Sequence, residues 1–301
     1  MASIYTHRDS NIRKTWFMLA SFLVIVIGIG WVFSQIYGNP SILYIAVAFA
    51  LFMNIWAYWF SDKLVLKMYR AQPVSVESNR ELYRLVENLC ITAGLPVPKI
   101  YIINQPQLNA FATGRNPEHA VIAVTTGLLA KLDRAELEGV LAHELSHIGN
   151  RDMLVSTVIV VLAGFIAILS DIFLRSTMFR RSGSDRNGGQ IQGIMLIIGL
   201  VFAILAPIAA TLMRLAISRR REALADASGA LLTRYPEGLA LALEKISDDR
   251  TPMPPANNST AHLWIDDPFN GEKKTSMLHK LFMTHPPIEE RIAALRGMEI
   301  K

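Results

Sequence analysis

Two long apolar runs follow a polar, basic start: residues 15–35 and about 41–60 contain no charged side chain. At 1.5 Å of rise per residue, each can cross a hydrocarbon core about 30 Å thick. Only Ile36-Tyr37-Gly38-Asn39-Pro40 separates them, so residues 15–61 are expected to form a tight transmembrane hairpin behind a cytoplasmic tail, 1–14. A cleaved signal peptide is disfavoured, because the first run is too long and no small-x-small cleavage site follows it. Further apolar runs at about 153–174 and 191–217 predict a second hairpin over 153–217. Both reach spanning length, which favours a second crossing. A hairpin partly embedded or packed on protein is the other arrangement, because arginines lie in the connector (Arg175, Arg180, Arg181, Arg186) and also after the last run (Arg219, Arg220, Arg221). Asp171 and Pro207 are irregularities within these runs, and a carboxylate at such a place usually faces protein or water.

The remaining stretches, 62–152 and 218–301, are patterned as two parts of one aqueous α+β domain. Ser78-Asn79-Arg80-Glu81 reads as a capping box opening a helix to about Ala93, with Leu82, Leu85, Val86 and Leu89 on one face. Lys99 to Ile103 and His119 to Thr125 read as strands, and Leu108 to Thr113 as an edge strand before the Gly114-Arg115-Asn116-Pro117 turn. Asp133 and Glu136 start another helix, Leu137, Val140, Leu141, Leu145 and Ile148 recur at helical spacing, and Gly149-Asn150 stops it. In the second part, Glu222 to Leu232, Pro236 to Ser247 and Pro287 to Arg296 are expected helices, with a loop at 250–260.

Composition agrees with a membrane protein carrying a modest aqueous part: 51% of residues are hydrophobic and mean hydropathy is +0.31. A net charge of +5 could indicate nucleic acid, but the basic residues cluster beside apolar runs and no nucleic-acid-binding motif is present. Arg8, Arg13 and Lys14 precede the first hairpin, Lys63, Lys67 and Arg70 follow it, and its turn is uncharged. Both flanks are therefore expected in the cytoplasm, with the lipid bilayer as partner. The single Cys90 excludes an internal disulfide framework and, on the apolar face of its helix, is expected to be buried.

The chemistry concentrates in Ala142-His143-Glu144-Leu145-Ser146-His147. On a helix, His143 and His147 lie one turn apart on one face, where they can share a metal ion. Glu144 sits between them and can reach a water at that metal without being a ligand, as in zincins. Two incidental histidines on an amphipathic helix are the bland reading. Against it, Glu144 and the two histidines are the sole titratable groups in 139–149, and a solvated face would interleave Lys and Glu.

A catalytic zinc needs a third protein ligand and a position for water. His7, His119, His262, His279 and His285 are candidates, but a helical hairpin returns the chain to the face it left. That brings Glu222 and Asp226, again four apart, towards the histidine pair. One can bind metal while the other accepts a histidine ring N–H.

The chain resembles the HtpX family of bacterial membrane-anchored zinc metalloproteases, relatives of the CAAX prenyl proteases. The likeness rests on 109–114 (Asn-Ala-Phe-Ala-Thr-Gly), 120–125, 142–150, 218–222 with Ala225-Asp226, and 284–292 (Thr-His-Pro-Pro-Ile-Glu-Glu-Arg-Ile), and it includes all four apolar runs. It implies one Zn2+ per chain held by His143, His147 and Glu222, with Glu144 as general base and Asp226 behind the ligands. It further implies that His285 and Arg291 stabilise the oxyanion, and that Asn109, Ala110, Phe111, Ala112 and Thr113 lay out an extended substrate. The expected architecture is an α-helical membrane protein with four transmembrane helices in two hairpins and a zincin-like α+β metalloprotease domain facing the cytoplasm of a bacterial inner membrane. The implied substrates are misfolded or damaged membrane proteins or unfolded polypeptides. A CAAX-type prenyl-peptide protease and a non-catalytic zinc-tied scaffold are the competing functions.

Overall fold

The computed structural model describes residues 4–159, 162, 219–251, 264–265 and 287–298. The second hairpin expected over 153–217 lies outside these except for its first turns, and His285 lies outside them as well. Helix α1 (Ile4–Tyr37) and helix α2 (Ser41–Met68) form the first hairpin, and both contain stretches long and apolar enough to cross a membrane. The chain reverses at Gly38, which adopts φ +61°, a left-handed conformation that glycine accepts without strain. Gly30 lets the two helices touch, because an added Cβ would lie 2.3 Å from that of Ala46. Asn54 Nδ2 donates across the pair to the Leu19 carbonyl at 3.0 Å. Residues 4–14 of the expected cytoplasmic tail are helical and continuous with the rest of α1, and Asn11 and Thr15 are buried there.

The aqueous part is built on a four-stranded sheet of order β1-β2-β4-β3, comprising β1 (Gln72–Pro73), β2 (Lys99–Ile103), β3 (Ala110–Gly114) and β4 (Ala120–Thr125). β2 and β4 run parallel, whereas β1 pairs with β2 and β3 with β4 in antiparallel register. Three of these strands were expected from alternation and turn signals; β1, two residues long and ending in proline, carries no such signal. On one face lie α3 (Arg80–Ala93) and α5 (Arg134–Gly149), with the short α4 (Thr126–Lys131) between β4 and α5. Leu82, Leu85, Val86 and Leu89 enter this core as expected. Cys90 does too, and burial pushes its thiol up to about 11.

One expected cap differs. Asn79, not Ser78, caps α3 by accepting from the Leu82 N–H at 3.1 Å, because Ser78 is engaged in a turn with Ser75. The Asp133–Glu136 box at the start of α5 forms as expected, with reciprocal bonds of 2.9 and 2.8 Å. The C-terminal elements α6 (Arg219–Thr233), α7 (Pro236–Asp248) and α8 (Ile288–Arg296) complete the core around α5. Two glycines permit the close crossings. A Cβ on Gly139 would lie 2.7 Å from the Leu239 nitrogen of α7, and one on Gly229 would lie 3.0 Å from the His143 nitrogen. Lys245 also reaches from α7 to Glu136 at 2.6 Å.

Candidate metal centre

Helix α5 carries His143, Glu144 and His147, all expected on the metal-binding turn, and α6 brings Glu222 to them. The three candidate ligands converge, with each histidine nearest a different oxygen of the carboxylate: His143 Nε2 to His147 Nε2 is 3.2 Å, His143 Nε2 to Glu222 Oε2 is 3.7 Å, and His147 Nε2 to Glu222 Oε1 is 3.6 Å. Among the described residues this is the one cluster of three metal-ligating side chains whose donor atoms converge. Tetrahedral metal bonds of about 2.0–2.2 Å place donors roughly 3.3–3.6 Å apart; one donor atom from each of the three residues lies within 4.8 Å of the other two, close enough for the side chains to share an ion. Gly229, about two helical turns along from Glu222, makes this approach possible by bringing the backbones of α6 and α5 together.

Protonation supports the same reading. The Nδ1 atom of His143 lies 2.9 Å from Asp226 Oδ1, and that of His147 lies 3.0 Å from Asp152 Oδ2. Ionised carboxylates only accept, so each Nδ1 is the natural place for the ring proton. Both Nε2 atoms are then lone-pair donors facing one another and the Glu222 carboxylate, an arrangement that a cation stabilises. Burial opposes charge on His147. The hydrogen bond the ring donates to Asp152 and the charges of Glu222, Asp152 and Glu144 outweigh it and raise the imidazole to about 9. The surroundings therefore favour positive charge at this point.

The acidic wall is itself held by cations. Arg291 of α8 grips Asp226 with two hydrogen bonds, Nε to Oδ2 at 2.8 Å and Nη2 to Oδ1 at 2.7 Å, and its Nη1 lies 3.9 Å from Glu222 Oε2. Burial alone would raise Asp226, but the charge and hydrogen bonds of Arg291, together with His143, hold its carboxyl well below the usual carboxylate range. Arg291 is thus brought to the site, but two of its nitrogens are engaged with Asp226. Its expected companion His285 lies outside the described residues. Glu144 is buried, 3% exposed, and its charge acts on both His147 and Arg291.

Strand β3 is the sheet's outer strand, where the extended substrate was expected. Its residues divide. The Asn109 carbonyl accepts from Thr125 of the inner neighbour, which sets the alternation and turns Ala110 and Ala112 outward. The Ala110 carbonyl already accepts from the Ile265 N–H at 3.2 Å, and Asn109 Oδ1 accepts from the same N–H at 3.1 Å. Phe111 packs edge-on against Trp264, and Thr113 Oγ1 lies 2.9 Å from Thr157 Oγ1. Among the described residues, no main-chain hydrogen bond reaches Ala112 on its outward side. Sequence reasoning missed Asp152, Arg221 and Asn11, which gather behind His147. Asp152 offered one signal, a carboxylate at the mouth of an apolar run.

The sequence model of peptidase family M48 matches residues 77–299. The chain belongs to peptidase family M48. Its M48 relatives include the protease HtpX homologs of Syntrophobacter fumaroxidans, 48% identical over 95% of this chain and 98% of that one, and of Pyrococcus furiosus, 47% identical over 96% of each. The homolog of Caldanaerobacter subterraneus subsp. tengcongensis is 44% identical over 99% of both chains. The crystal structure of S. mikatae Ste24p aligns with a TM-score of 0.51 at 18% identity, covering 97% of this chain and 67% of that one, which is a likeness of fold. The resemblance to HtpX proteases is therefore borne out, and the protein is a membrane-associated M48 metalloprotease. Neither the prenyl-peptide protease nor the scaffold is favoured.

Proposed function

We infer that this M48 protein is a zinc-dependent endopeptidase of a bacterial cytoplasmic membrane, multi-pass, with its protease domain in the cytoplasm. Its substrates in this reading are misfolded or damaged membrane proteins and unfolded polypeptides. The observation that carries it is the donor cluster of His143, His147 and Glu222 beside the buried Glu144 on the histidines' own helix. A zinc ion held by these three residues would supply Lewis acidity, polarising the scissile carbonyl and making water a stronger acid.

Glu144 carries the proton transfers: its carboxylate takes a proton from the attacking water and returns it to the leaving amide nitrogen. Asp226 and Asp152 keep the proton of each histidine on Nδ1 and so leave both Nε2 atoms free to ligate. Arg291 is a positioning residue here, fixing Asp226. His285 is the remaining candidate for holding the oxyanion. A substrate laid along β3 would pair with Ala112, because Ala110 is occupied by the chain's own residue 265; main-chain pairing accepts many sequences, as quality control of damaged proteins requires. The membrane placement is supported by the apolar α1–α2 hairpin and its basic flanks.

Purified Glu144→Ala protein should keep its zinc and lose hydrolysis of casein or a membrane-protein substrate by at least about 100-fold, the lower end of what a positioned base contributes. Undiminished cleavage would remove Glu144 from the reaction.

A further inference from the structure

The polar start of α1 ends up beside the metal centre. Asn11 is 3% exposed, and its Nδ2 donates two hydrogen bonds: to the Asn150 carbonyl at 3.1 Å and to Asp152 Oδ1 at 2.5 Å. Asp152 is 4% exposed, and its other oxygen, Oδ2, meets His147 Nδ1 at 3.0 Å. Arg221 Nε approaches Oδ1 of the same carboxylate at 3.3 Å. Asn150 caps the end of α5, and Arg151 beyond it takes a left-handed φ of 56° before residues 152–159 resume as helix. Asn11 therefore clamps both sides of the corner that carries Asp152 away from the histidine helix. Each proton of its amide nitrogen has an acceptor, so the side chain has one orientation in which both bonds form.

We propose that Asn11 is a positioning residue for the metal centre: through Asp152 it fixes the ring of His147, and it thereby makes metal affinity depend on how the first membrane helix is seated. The proposal rests on the metal-site reading above. It adds a component from a helix that contributes no ligand. The acceptor Asp152 holds the His147 proton on Nδ1 and orients Nε2, and partners of this kind typically change metal affinity by roughly 10–100-fold. An Asp152 released on one side can rotate away from His147 and swing towards Arg221. Asn11 stands one bond further from the ion, so its loss belongs at the lower end of that range.

The test is zinc affinity of the full-length protein in detergent at fixed pH, measured by competition with a chromogenic chelator. Asn11→Leu, which keeps the size and removes the donors, should raise the zinc Kd by about tenfold. Asn11→Asp, nearly isosteric and able to fold where Leu does not, should weaken binding at least as much, because it sets a second carboxylate against Asp152. Asp152→Asn should weaken it too, and adding Asn11→Leu to Asp152→Asn should cost little more, since both act through one contact. Asn54→Leu breaks the described bond between α2 and α1 within the hairpin, away from Asp152, and should leave the Kd unchanged. Native affinity in both Asn11 variants would overturn this role and leave the metal centre standing. Equal weakening by Asn54→Leu would overturn the Asn11–Asp152 route in favour of general helix packing. A native protein that binds no zinc would overturn the metal centre and this role together.

Discussion

A carboxylate buried as deeply as Asp226 persists as an anion because Arg291 meets it with two short hydrogen bonds. Removing one partner of such a pair leaves an uncompensated charge and costs about 3–5 kcal/mol. Arg291→Met should therefore lower unfolding stability by that amount in metal-free protein, read by denaturant titration in detergent. The pH dependence has a definite sign. In the native protein Asp226 sits below its unfolded value of about 3.9, so its contribution is complete above that pH and fades only in stronger acid. Without Arg291, burial raises the carboxyl instead, and stability is lost as the pH rises above the unfolded value. The deficit of the variant should thus narrow towards pH 4 and widen towards pH 7; a deficit independent of pH would show that Asp226 is not the group left uncompensated. At this scale the histidine pair and Glu144 were legible because four-residue spacing on a helix fixes which side chains share a face. Glu222 and Asp226 were legible because the two apolar runs before them were expected to return the chain to its starting face. Asn11 was not, since its partner lies 141 residues away and only packing selects it.

Helix α5 holds the centre because α6 and α7 press against its backbone at two glycines. Gly139→Ala would place a methyl group 2.7 Å from the Leu239 nitrogen, and backbone cannot yield as a flexible side-chain end can. The expected cost is about 1–3 kcal/mol, as for other overpacked sites, with the melting temperature as readout; an unchanged melting temperature would mean that the α5–α7 crossing is slack. The sequence signals for α5 itself were strong, since its capping box, apolar spacing and Gly-Asn stop agree with one another. They say where the helix begins and ends but nothing of which glycine is a crossing point, because that depends on the neighbouring helix. Ser78 makes the same point in reverse: its motif is sound, yet the adjacent turn with Ser75 takes the hydroxyl and Asn79 supplies the cap.

Across the described residues, apolar surface and chemistry are kept apart but joined where Asn11 meets Asp152 and where Val65 and Tyr69 pack on Phe111. Large exposed apolar side chains gather on the hairpin, among them Trp16, Phe17 and Val24 on α1 and Tyr44, Ile45 and Phe52 on α2, a surface suited to lipid. The sheet and α3–α8 instead bury a common core, with Leu154, Val158 and Leu162 packing the start of the next apolar run against the hairpin. Hydropathy made this division legible from sequence, whereas the placement of β3 beneath residues 264–265 was not, because Trp264 is fixed by Tyr69 and Phe111 from distant elements. The central claim is that segments on either side of the apolar stretch 153–217 close on one ion. Its most direct test is the metal content of Glu222→Ala after dialysis, determined by mass spectrometry beside the native protein. The account predicts about one zinc per native chain and less than roughly a tenth of that in the variant, since two histidines alone hold the ion weakly; a variant that retains a full equivalent would contradict it.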